Sequence, residues 1–78
     1  MRYIEPSSDQ RLAVLKAANA TDRLLDKAGL KEILPLSDPT IWRFTEAGQF
    51  PPTVKLGRRS AWRLSSVLWY CELLEQEG

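Results

Sequence analysis

The sequence contains no histidine and a single cysteine, Cys71. Without histidine, nucleophile–base pairs of the Ser–His and Cys–His kinds are excluded. A lone thiol is a poor beginning for a zinc site, and nothing indicates a cleft around paired carboxylates. No catalytic residue, metal, cofactor or small-molecule substrate is therefore expected, and the chain is not read as an enzyme. One cysteine cannot close an internal disulfide, so the fold does not depend on an oxidising compartment. No apolar run approaches the roughly 20 residues of a membrane span, and no secretory h-region opens the chain. The expected location is the cytoplasm, away from membranes.

What is present fits one small domain. Seventy-eight residues leave little core to spare. The 44% hydrophobic and 27% charged composition is ordinary for a globular chain. The net charge of +1 hides an uneven distribution. Up to Asp38, six basic residues balance six acidic ones. From Pro39 to Leu64, Arg43, Lys55, Arg58, Arg59 and Arg63 face only Glu46, whereas the rest of the chain carries only Glu72, Glu75 and Glu77. A positive block of this kind is what phosphate binding requires, although surface charge alone can also produce it.

That block begins in Ser37-Asp38-Pro39-Thr40-Ile41-Trp42-Arg43-Phe44-Thr45-Glu46-Ala47-Gly48, the stretch around which the chain is organised. Ser37 is a good N-cap, Asp38 suits the positive end of the helix dipole, and Pro39 is tolerated in a first turn. Gly48 suits the left-handed residue that ends a helix. Ile41, Phe44 and Thr45 share one side; Pro39, Trp42, Arg43 and Glu46 share the other. A face offering a tryptophan and an arginine fits a helix that touches a partner, and the charge points to DNA.

Before this stretch, Met1 to Pro6 carries no structural signal and is expected to fray. Ser7 or Ser8 can cap a helix over about Asp9 to Ala20, with Leu12, Leu15 and Ala18 or Asn19 on one side and Val14 off it. Docking on the domain, pairing with another subunit and loose order are its open fates. A connector, Thr21 to Leu25, brings Leu24 and Leu25 to the core. Asp26 caps a second helix, Lys27 to about Leu34, with Leu30, Ile33 and Leu34 inward. Gly29 marks a close approach of two backbones. Pro35 stops this helix, and the tight turn to Ser37 matches a helix-turn-helix over about 26–47.

After the stretch, Phe50 is a core anchor and Pro51-Pro52 an extended exit. Residues 53–56 and 60–64 alternate with period two around Gly57-Arg58-Arg59, which predicts a β-hairpin, or wing, over about 53–64. Val54, Leu56, Trp62 and Leu64 are expected inside, with Lys55, Arg58, Arg59 and Arg63 outside. Ser65 caps a last helix over about 66–76, whose buried stripe is Val67, Tyr70, Cys71 and Leu74. Leu68 and Trp69 fall off that stripe. They are either a partner surface or ground covered by the N-terminal helix.

An ordered set of segments resembles the AlpA family. They are Arg23-Leu24-Leu25, Lys31-Glu32-Ile33-Leu34, Leu36-Ser37, Thr40-Ile41-Trp42-Arg43, Ala47-Gly48-Gln49-Phe50-Pro51, Val54-Lys55-Leu56-Gly57 and Trp62-Arg63-Leu64-Ser65-Ser66-Val67. The AlpA proteins are small prophage-type transcriptional regulators, related to phage excisionases and to the winged DNA-binding part of MerR-like proteins. The resemblance covers about residues 23–75, leaving 1–22 as an N-terminal extension and 23–78 as the DNA-binding domain. It implies a mainly α fold with a small β-hairpin, a winged helix-turn-helix preceded here by an extra helix. It also implies a bacterial or phage-encoded protein acting on the nucleoid to control transcription or excision. This sequence departs from the family where Asp38 and Pro39 replace basic or small hydroxyl residues. Asp38 would repel phosphate unless it accepts from a cytosine amino group.

The expected site follows. On the recognition helix, Ser37, Asp38, Pro39, Thr40, Trp42 and Arg43 form the DNA-facing set. Arg43 matches guanine O6 and N7, with a solvent pair to Glu46 as its alternative. Trp42 is either a sugar or methyl contact or a lid over core edges. On the wing, Lys55, Arg58, Arg59, Ser60 and Arg63 reach the flanking backbone or an A·T-rich minor groove. Lys31 is a secondary phosphate contact. Double-stranded DNA is the expected partner. Self-association through Leu68 and Trp69 or the N-terminal helix is expected to supplement a weak monomer. The competing functions are an excisionase bending DNA for an integrase, and a protein-interaction module on the same scaffold.

Overall fold

The computed structural model describes residues 2–77. Four helices surround a three-stranded antiparallel sheet: α1 (Ser8–Ala17), β1 (Leu24–Leu25), α2 (Lys27–Ile33), α3 (Asp38–Glu46), β2 (Val54–Leu56), β3 (Arg59–Arg63) and α4 (Leu64–Glu77). The strand order is β1-β3-β2. Helix-turn-helix α2–α3 followed by the β2–β3 hairpin and α4 is a winged helix-turn-helix.

Local chemistry sets the helix ends. Ser7 Oγ accepts from the Gln10 backbone N–H at 3.2 Å, while the Ser7 N–H donates to Gln10 Oε1 at 2.9 Å, a reciprocal capping box. Helix α1 stops at Ala17, short of the expected Ala20, because Asn19 turns left-handed at φ 51°. The Ala20 N–H then returns to the Leu15 carbonyl and the Asn19 N–H to Lys16, closing a Schellman motif. Helix α3 ends in the same way. Gly48 has φ 70°, its N–H reaches the Thr45 carbonyl, and the Gln49 N–H reaches that of Phe44.

Leu15, Leu25, Leu30, Ile41, Phe50, Trp62, Leu64, Val67 and Tyr70 form the core, with the Phe50 and Tyr70 rings edge-on at 5.1 Å. Helix α1 docks on α4. Its inward pair is Val14 and Leu15, whereas Leu12, expected inside, is 65% exposed. Rotation of the helix about Leu15 brings Arg11 over the start of α4 instead, where Nη1 donates to Ser65 Oγ at 2.6 Å and Ser66 Oγ at 3.1 Å.

Residues 2–6 do not fray as expected; Met1 lies outside the described residues. The Tyr3 N–H donates to the Gly48 carbonyl at 2.9 Å, Trp69 Nε1 donates to the Ile4 carbonyl at 2.9 Å, and Pro6 is buried. Leu68 packs half-buried against the core. Leu68 and Trp69 are thus only partly exposed, and the segment against Trp69 is the chain before α1 rather than the helix itself.

Four other expectations need correction. Residues 24–25 form a strand, pairing Leu24 with Arg63 and Leu25 with Trp62, and alternation leaves Leu24 exposed and Leu25 buried. Gly29 is not a backbone crossing: its nearest neighbours are the side chains of Asp26 and Leu25, and its N–H donates to the Asp26 cap at 2.8 Å. The first turn of α4 is capped not by Ser65, which lies inside the helix, but by Asp22. The Asp22 carboxylate accepts from the Ser65 N–H at 3.0 Å, the Ser65 hydroxyl at 2.9 Å and Arg63 Nε at 2.6 Å.

The fourth concerns the wing. Leu56 pairs with Arg59, so only Gly57 and Arg58 form the turn, with Gly57 at φ 64°. A positive φ at the first central residue alone marks a mirror-image turn with glycine leading. Compared with a three-residue turn, the register slips by one and the β2 side chains exchange faces. Lys55 and Ser60 now share the face of Trp62, while Val54 and Leu56 lie on the opposite face and are exposed.

Candidate nucleic-acid interface

Helix α3 is held by its inner face and presents its outer one. Ile41 is buried and Phe44 half-buried, while the Thr45 hydroxyl donates to the Ile41 carbonyl at 2.8 Å. On the outer face Trp42 is 65% exposed. Arg43 is exposed beside it. Arg43 Nη2 lies 3.4 Å from Thr40 Oγ1, and among the described residues the alternative pair with Glu46 does not form.

Ser37 and Thr40 serve the helix start. Ser37 Oγ accepts from the Thr40 N–H at 3.3 Å and donates to Thr40 Oγ1 at 2.9 Å. Pro39 stands in the first turn, as expected. Asp38 is engaged with α2: Lys31 Nζ forms a close ion pair with Asp38 Oδ1, and Lys27 Nζ lies 3.4 Å from Oδ2. Hydrogen bonds from Lys31, then from Lys27, hold the Asp38 carboxyl below the usual carboxylate range. Asp38 thus neutralises lysines at the helix-turn-helix seam. Lys31, expected to meet a phosphate, is one of them.

The wing contributes cations of two kinds. Among the described residues, Lys55, Arg58 and Arg59 have no carboxylate partner. Lys55 Nζ lies 3.3 Å from Ser60 Oγ across the hairpin. Arg63 is already paired with Asp22, at the far end of β3 from the turn. The sheet therefore brings together Lys55, Arg58, Arg59 and Ser60, and assigns Arg63 to the β1–β3–α4 junction.

An open groove of about 630 Å³ runs between α3 and the wing. Trp42 and Asp38 stand on its helix side, Lys55, Arg58 and Arg59 on its wing side, and Trp62 also contributes to the lining. Lys27, at the start of α2, also reaches the groove. Sequence reasoning missed Lys27 because it lies outside the basic block and only the α2–α3 fold brings it near. It missed Asp22 and Arg11 for a related reason: their partners lie more than 40 positions away.

The family of the prophage CP4-57 regulatory protein (AlpA) matches residues 23–70. That is more than half the sequence. The chain belongs to the AlpA family. Neither the curated proteins nor the solved structures provide a match. The AlpA match begins one residue before β1 and runs through α2, α3 and the wing to Tyr70 in α4. Helix α1 lies outside it. As an AlpA protein, the chain belongs to a family of prophage regulators. Among its described residues, no helix is long and apolar enough to cross a membrane.

Proposed function

We propose that this AlpA protein is a sequence-specific, double-stranded-DNA-binding transcriptional regulator of a prophage or related mobile element. Helix α3 enters the major groove and the wing lies along the flanking backbone or minor groove. The observation that supports this reading is the open groove between α3 and the wing: exposed Trp42 stands across it from Lys55, Arg58 and Arg59, which have no carboxylate partner among the described residues, and Arg43 is exposed next to Trp42 in the chain.

In this reading, Arg43 reads a guanine edge through its two-pronged donor array, and Trp42 packs on a thymine methyl or on sugar. Lys55, Arg58 and Arg59 contact phosphates, which gives affinity without sequence information. Ser37, Pro39 and Thr40 build the helix start rather than touch bases. Asp38 draws Lys27 and Lys31 away from phosphate, which keeps non-specific attraction low.

The test is selection of preferred sites from random duplexes, followed by binding with Arg43→Ala. A bidentate guanine contact is worth about 1–3 kcal/mol, so the variant should lose roughly 10- to 100-fold for the selected site. Its affinity for random duplex should change far less. Equal losses on both would remove Arg43 from base reading. Failure to select any site would sink sequence-specific recognition.

A further inference from the structure

The sheet carries a second surface, turned away from Trp62. Register places Leu24, Val54 and Leu56 there, on the same face as Arg59, Ala61 and Arg63. Leu24, Val54 and Leu56 are 42%, 40% and 50% exposed. Leu24, Leu56 and Ala61 line a hollow of about 320 Å³, which Arg23 and Arg59 also border. Asp26 lies on the same rim, leaving one net positive charge around the hollow. An apolar hollow with a net basic border fits an apolar side chain carried on an acidic segment.

The chain possesses such a segment. Helix α4 buries Val67 and Tyr70 and half-buries Cys71, and one turn further Leu74 continues the same stripe. Leu74 was expected inside, yet it is 40% exposed. Glu72, Glu75 and Glu77 surround it, and the last turn of α4 contains no basic residue to offset the negative end of its dipole.

We infer that the α4 end of one copy docks into the sheet hollow of a second copy, Leu74 seating between Leu24 and Leu56 with the glutamates against Arg23. The occupant is assigned by complementarity of shape and charge between two patches of one chain. The contact is heterologous, so copies add head to tail and leave a free patch only at each end unless a ring closes. It replaces Leu68 and Trp69 as the route to self-association. The contact itself is independent of DNA; only its consequence, cooperative loading of adjacent sites, rests on the function proposed above.

The test uses the full chain without DNA, by sedimentation at low salt up to about 1 mM, a range suited to a small interface. The wild type should associate, and added salt should weaken it. Leu74→Glu and Leu56→Glu should each weaken association at least roughly tenfold. Both positions are exposed, and circular dichroism checks that each variant is folded. An equimolar mixture of the two variants should form a 1:1 complex, since one supplies an intact hollow and the other an intact helix end. A wild type monomeric throughout, or a mixture that stays monomeric while the wild type associates, would overturn the inference. Binding of Leu74→Glu to a short single-site duplex should match wild type, so failure of DNA binding and failure of this contact are read separately.

Discussion

Asp22 is the residue whose removal should most disturb the fold for its size. Its carboxylate accepts from the Ser65 N–H, the Ser65 hydroxyl and Arg63 Nε, joining the connector to the start of α4 and the end of β3. In Asp22→Ala the Ser65 N–H loses its partner where Ser65 is fully buried. An orphaned buried donor costs about 1–3 kcal/mol, and the hydroxyl's lost acceptor about 1 more. The Arg63 contact is half-exposed and adds little. The expected loss is about 2–4 kcal/mol, or a fall in Tm of more than about 8 °C for a domain of this size. Asp22→Asn keeps one acceptor and should lose about half as much. Urea unfolding followed by tryptophan fluorescence measures both, and an unchanged m-value would place the effect in the native state. A loss for Asp22→Ala below about 0.5 kcal/mol would refute the capping role.

The same group predicts a pH dependence. Burial raises the Asp22 pKa, but the Ser65 backbone N–H, Arg63 and the Ser65 hydroxyl outweigh it and hold it below the usual value. A depressed folded pKa means that the stabilisation is complete above the unfolded value of about 3.9 and is lost as pH falls through the folded value. The stability gap between wild type and Asp22→Asn should therefore narrow below about pH 4.

Other predictions can be checked on the same preparations. Gly57→Ala meets nothing within 4 Å of its new Cβ but must adopt φ 64°, so urea unfolding should show a loss of about 1–2 kcal/mol from backbone strain alone. Asp38→Asn should leave thermal stability nearly unchanged, because its pairs are exposed. It should tighten binding to random duplex and steepen the salt dependence, because Lys27 and Lys31 are released. Weaker random binding by Asp38→Asn would contradict the assigned role of that carboxylate.

How much could be read beforehand depended on how local the determining interactions are. Ser37 and Gly48 bound α3 through contacts within a few residues, so both ends of that helix were legible, as was the turn glycine at 57. The two-residue strand β1 was not, because Leu24 and Leu25 are specified only by Arg63 and Trp62, far along the chain. The wing's faces were misassigned by one register step, since alternation alone does not distinguish a two-residue turn from a three-residue one. The inward side of α1 was misread because its thin stripe carries little periodic signal; Arg11 is oriented by Ser65 and Ser66, which periodicity cannot see. In the candidate site, the exposure of Arg43, Arg58 and Arg59 was legible from charge and helical spacing. The diversion of Lys31 to Asp38 and of Arg63 to Asp22 was not, because each depends on tertiary placement.

The central claim is that the wing and α3 form one DNA-binding surface. Its most direct test is the salt dependence of binding to a random duplex, comparing wild type with Arg58→Ala/Arg59→Ala. Wild type should show a steep slope and the double variant a slope shallower by about two units, near one unit per lost phosphate contact. An absence of binding at low salt, or a slope unchanged by the double substitution, would contradict it.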